Sequence, residues 1–130
     1  MEIYERIIDR IIKIHKNSLK EILSVIHSLN LFDEDFLSQV ISYLSMANLY
    51  KIFCKDFPDF IYYCLNIGES YFIFHDDNYC NCDIKLEEKI RYKNICKHLL
   101  TFKILSEINA YSTINIDKKD MIQLIKENKL

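Results

Sequence analysis

The chain has 130 residues, enough for one compact domain, or one small domain with a helical arm, and too few for a multidomain enzyme. Half of its residues are apolar and 28% are charged, a globular composition, and no uninterrupted apolar stretch approaches the roughly 20 residues that a bilayer span requires. Its formal charge of −2 offers no net attraction to phosphate backbones. Bulk charge therefore favours a protein partner, and any nucleic-acid contact must rest on a local basic patch.

Usage is lopsided, with 22 isoleucines against two valines, and only Gly68 and Pro58 of their kinds. Isoleucine thus fills places where other chains carry leucine or valine, and asparagine takes over as the turn residue. The opening residues Met1 to Arg6 lack the basic start and apolar core of a secretory signal. Together with an odd set of five cysteines, Cys54, Cys64, Cys80, Cys82 and Cys96, this disfavours a disulfide framework and favours thiolate chemistry.

From the N-terminus, Ile8, Ile12, His15, Leu19, Ile22, Ile26 and Leu29 recur at steps of three and four, the stripe of an amphipathic helix over residues 2–30. Ser18 and Glu21 stand in capping-box spacing after Asn17, so the arm is either one helix or two shorter ones. A further helix starts at the acidic cluster Asp33, Glu34 and Asp35, carries Phe36, Leu37, Val40, Ile41 and Leu44 on one face, and ends near Tyr50. The helical arm is assigned to residues 1–57, and Pro58 opens a second unit, 58–130.

In that unit the aromatic and β-branched runs 60–65 and 71–74 surround an Asn/Gly turn and read as a β-hairpin. Asp76, Asp77 and Asn78 form a second turn that leads into Tyr79–Cys82 as a short strand or knuckle. From Asn94 to Asn109 apolar residues lie on nearly every side, the mark of a helix packed from several directions. A last short helix begins at Asp117, ahead of Met121, Ile122, Leu124 and Ile125. The expected class is α+β: a helical arm, a β-hairpin/ββα finger and a short C-terminal helix.

The stretch that carries chemistry is Cys80-Asn81-Cys82, thirteen residues, then Cys96-Lys97-His98. Three sulfurs and one imidazole are a tetrahedral zinc set, with Zn–S near 2.3 Å and hence thiolates roughly 3.8 Å apart. In an extended segment residues i and i+2 share a face, so Cys80 and Cys82 can converge. In a helix the same spacing lies about 200° apart, so Cys96 and His98 can share an ion only at the helix start. Four protein ligands leave no open position, which makes the expected zinc structural and not catalytic. Such an ion contributes roughly 10–16 kcal/mol in small peptides, so losing one ligand should unfold at least the C-terminal half.

The pattern CxC…CxH resembles the SWIM zinc fingers. Within that family, residues 78–82 followed by Cys96-Lys97-His98-Leu99-Leu100 look like the SWIM subunits of Shu-type recombination complexes, over about residues 78–125. Thr101 departs from the small apolar residue that the family tends to place there. The resemblance implies a nuclear, non-enzymatic adaptor in homologous recombination DNA repair. It would bind a RecA-like recombinase paralogue and promote recombinase filament assembly.

Other residues allow blander readings. Cys54 and Cys64 lie among aromatic and apolar neighbours and suit burial. His75 reads as a loop or strand-end residue, His15 and His27 as packed or half-exposed, and no nucleophile elbow supports a catalytic triad. Lys85, Lys89, Arg91, Lys93, Lys97 and Lys103, against Asp83, Glu87 and Glu88, make the only basic region. It reads first as a solvated spacer. The alternative is a nucleic-acid-binding module acting through 85–103, with Tyr79 and Tyr92 beside it and weak single-stranded DNA contact. The arm's stripe reads blandly as a helix folded on its own domain; equally, with the all-round apolar helix it makes more apolar surface than a small finger covers, which points to a partner or to self-association, a heteromeric interface being favoured.

Overall fold

The computed structural model of the protein describes residues 3–75, Cys80 and residues 95–127. It is α+β, with helices at the N-terminal end, a four-stranded sheet and a short C-terminal helix. The arm breaks into α1 (Ile3–Ile14) and α2 (Leu19–Ser28). Ser18 caps α2, its Oγ accepting from the Glu21 N–H at 3.2 Å. The capping box is only half formed, because the Ser18 N–H donates to the His15 carbonyl and the Glu21 carboxylate faces His15 Nδ1 at 3.3 Å. Helix α2 ends where Asn30 enters the left-handed region at φ 53°, a conformation that asparagine tolerates.

Helix α3 (Glu34–Met46) starts at Asp33, whose Oδ1 accepts from the Phe36 N–H at 2.8 Å. It does not run on to the neighbourhood of Tyr50. Ala47 turns extended, and Asn48–Phe53 form strand β1. The expectation of helix there fails because Leu49, Tyr50, Ile52 and Phe53 suit a strand once partners lie on both sides. Those partners are β2 (Tyr62–Ile67), antiparallel with Leu49 opposite Leu65, and β4 (Ser112–Asn115), parallel with Ile52 opposite Ile114. Strand β3 (Ser70–Phe74) completes the order β3-β2-β1-β4. The expected hairpin is β2–β3, closed by a two-residue turn whose first position, Gly68, has φ 61° and so needs a residue without Cβ strain. Sheet pairing joins residues 48–53 to 62–67, on either side of Pro58.

Helix α4 (Lys97–Glu107) lies between two apolar walls. Ile95, Leu100 and Ile104 pack with Ile8, Ile12, Ile22, Ile26, Phe36 and Val40 of the arm. Leu99, Phe102 and Leu105 pack with Leu49, Leu65, Ile67 and Phe74 of the sheet. Every residue from Leu99 to Leu105 is buried. Thr101 fits this interior because its hydroxyl donates to the Lys97 carbonyl at 2.7 Å. The apolar surface of this helix is therefore covered by its own chain, and it no longer argues for a partner.

After α4 the chain closes a Schellman motif, with Asn109 at φ 60° and the Ala110 N–H donating to the Leu105 carbonyl at 2.9 Å. Helix α5 (Lys118–Glu127) begins at Asp117, whose Oδ1 accepts from the Asp120 N–H, and its buried Met121 packs with Tyr62 and Cys54 away from α4. Among the described residues, no helix is long and apolar enough to cross a membrane.

Candidate metal centre

The start of α4 is built by Cys96. It takes the N-cap position in extended conformation (φ −91°, ψ 171°), and its Sγ accepts from the Leu99 N–H at 3.3 Å. A thiolate is well placed there, since the first turn of a helix offers unpaired N–H groups and positive dipole charge. His98 follows within that first turn, where a residue two positions from the cap can still face the same point. This is the arrangement that the i, i+2 spacing demands.

Cys80 comes from the segment beyond β3 and sits in neither helix nor strand. Its Sγ, Cys96 Sγ and a ring nitrogen of His98 all lie within 4.8 Å of one another. The tetrahedral zinc spacing is roughly 3.8 Å between sulfurs, so a small closure around an ion would bring the donors to bonding distance. Cys82, expected as the fourth donor, lies outside the described residues, as do the Asp76–Asn78 turn and the rest of the Tyr79–Cys82 knuckle.

The donors fit a metal on a second count. Among the described residues, His98 Nδ1 is buried without a hydrogen-bond partner. Leaving a buried polar atom unsatisfied costs about 1–3 kcal/mol, and an ion that takes the nitrogen lone pair removes that cost. Three soft or borderline donors of this kind can hold a metal ion, and two aromatic rings fix the plane of the third. Phe72 of β3 stacks on His98 with centroids 3.9 Å apart and an interplanar angle of 22°, and Tyr43 of α3 lies at 5.6 Å and 14°. The sequence carried no signal for Tyr43 or Phe72, because their positions beside His98 are set by the packing of α3 and the hairpin against α4.

The remaining cysteines and histidines behave as ordinary packing groups. Cys54 is buried beside Tyr62 and Met121. Cys64 is half-buried, its Sγ donating to Asn66 Oδ1 at 3.2 Å, and burial pushes its thiol above the usual range. Burial likewise raises the Tyr62 phenol. His75 is exposed, stacks on Tyr62 at 4.7 Å and has Nδ1 3.4 Å from the Ile61 carbonyl. His15 is half-buried and His27 exposed.

The basic region loses one member. Lys103 is 4% exposed, and its Nζ donates to Asp9 Oδ1 of α1 at 2.8 Å, an interior role that removes it from any phosphate-facing surface. Lys85, Lys89, Arg91 and Lys93 lie outside the described residues. Comparisons of the chain with family models, with curated proteins and with solved structures find no match.

Proposed function

We propose that Cys80, Cys82, Cys96 and His98 hold one structural Zn2+ and that the protein is an adaptor of SWIM type. The observation that carries the metal reading is the convergence of three donors on one point, with a buried Nδ1 that lacks a partner among the described residues. Two thiolates and an imidazole favour zinc over hard cations such as magnesium or calcium, which take oxygen ligands. A closed four-donor shell gives the ion a mechanical task, tying the segment after the hairpin to the first turn of α4.

The adaptor role rests on the CxC…CxH resemblance. In this reading the zinc-fixed fold presents a surface to a RecA-like recombinase paralogue in the nucleus and so supports filament assembly in recombination repair. A nucleic-acid module acting through 85–103 is the less favoured reading, because Lys103 faces the interior.

Metal analysis of the purified protein tests the first statement: one zinc per chain is expected, with none retained by Cys82→Ser or Cys96→Ser. Co-expression with a RecA-like paralogue tests the second. A complex that persists in high salt supports the adaptor. Failure to form one, alongside steeply salt-dependent binding to single-stranded DNA, would replace it with the nucleic-acid module.

A further inference from the structure

His98 is held more tightly than ligation alone requires. Two rings from different parts of the fold lie nearly parallel to it, Phe72 from β3 and Tyr43 from α3. A histidine ring otherwise turns broadly about its last torsion. Stacked rings restrict that torsion to one plane, leaving two settings related by a half-turn. In the setting observed, Nδ1 is buried and has no hydrogen-bond partner among the described residues. Nδ1 is also the ring nitrogen nearer the backbone. It therefore stays close to the helix start, where the Leu99 N–H holds Cys96 Sγ.

We propose that His98 ligates through Nδ1 and that Tyr43 and Phe72 brace its ring in the plane this requires, which makes the grip on the metal depend on the docking of α3 and the hairpin against α4. This rests on the metal reading above. When Nδ1 gives its lone pair to the ion, the ring proton resides on Nε2. Tyr43 and Phe72 are positioning residues. They touch no metal, and they act by removing ring orientations that would carry the nitrogen away from Cys80 and Cys96. The arm and the metal then report on each other: whatever loosens α3 speeds release of the ion, and the bound ion holds Tyr43 against the ring.

The test uses the whole chain, labelled with 15N and loaded with 113Cd2+, a spin-active stand-in for zinc at sulfur and nitrogen donors. Scalar coupling from cadmium to Nδ1 of His98 is expected. Coupling to Nε2 overturns the proposal while leaving the metal site standing, and a protein that binds neither zinc nor cadmium overturns both. The wild-type spectrum decides the ligating atom even where a variant fails to fold.

The brace is tested separately by zinc release to a chromogenic chelator. Tyr43→Leu and Phe72→Leu should each release zinc about tenfold faster or more, the lower end of what lost support around a ligand costs. Tyr43→Phe, which keeps the stacked ring, should restore release to within about twofold of wild type. Unfolding measured in excess chelator separates a general loss of stability from a loss of aim. Leucine variants that fold yet release zinc at the wild-type rate would overturn the brace.

Discussion

Along its body α4 is held by two apolar walls, with Leu100 and Ile104 against the arm and Leu99, Phe102 and Leu105 against the sheet. At its first turn it is held by a handful of polar atoms, the sulfur of Cys96 and the ring of His98 beside the sulfur of Cys80. The walls are made of area removed from water and need no ion. The first turn contains a buried nitrogen without a partner among the described residues, a partner that the proposed ion would supply. On the metal reading proposed above, one helix joins a region whose stability is indifferent to metal with a region whose stability is not, and substitutions in the two should respond differently to a chelator.

The largest effect is expected at the first turn. Cys96→Ser keeps an N-cap oxygen for the Leu99 N–H and removes a thiolate, so it separates the cap from the metal. At free zinc a thousandfold above the dissociation constant, bound metal adds about 4 kcal/mol to stability, and the variant should lose that increment and its zinc together. In excess chelator the same substitution should change stability by about 1 kcal/mol or less. Chemical denaturation at two metal concentrations measures both, and a serine variant that still gains stability from zinc would place the metal elsewhere.

Leu100→Ala probes the wall. This side chain is fully buried between α4 and the arm, and its removal should cost about 3 kcal/mol through lost burial and the cavity left behind. The cost should be the same, within error, with zinc or with chelator. A metal-dependent cost would mean that wall and first turn are not separable, and the contrast between them would fail.

How far each region could be read from the sequence follows the same division. The walls were legible: the periodic stripes of the arm and the all-round apolar run of α4 are one-dimensional patterns with one physical cause. So were the caps at Ser18, Asp33 and Asp117, because a cap is a contact over three residues. Strand β1 was not, since Leu49 to Phe53 shows no alternation and becomes a strand through pairing with residues 62–66 and 112–115. Strand β4 is four exposed residues with no pattern at all. At the site, spacing placed Cys96 and His98 at a helix start, and there they are. The rings that orient His98 come from positions 43 and 72, and only the folded chain brings them together.

The far side of the sheet extends the contrast to elements that touch neither wall of α4. Helix α5 covers Tyr62 and Cys54 through Met121, and Asp117 caps it. Asp117→Ala should cost about 1 kcal/mol and leave zinc release unchanged. Amide exchange should quicken in α5 and not in α4, whereas equal quickening in both would show that the two sides of the sheet open together.

The smallest effect is expected from pH on that same face. Burial raises the Cys64 thiol in the folded protein, while in the unfolded chain it ionises near pH 8.5. Above that value the unfolded state sheds its proton first and so binds fewer protons than the folded state. Stability then falls as pH rises, and levels off once the folded thiol has also ionised. Tyr62, raised by the same cause, adds a second fall beginning near pH 10. Denaturation midpoints measured in excess chelator between about pH 8 and 9.5 separate thiol ionisation from the tyrosine's. Cys64→Ala should flatten the slope in that window and leave the tyrosine's fall at higher pH. An unchanged slope in the alanine variant would move the sensitivity in that window to another group and leave the Tyr62 phenol as the far face's contributor to the alkaline fall.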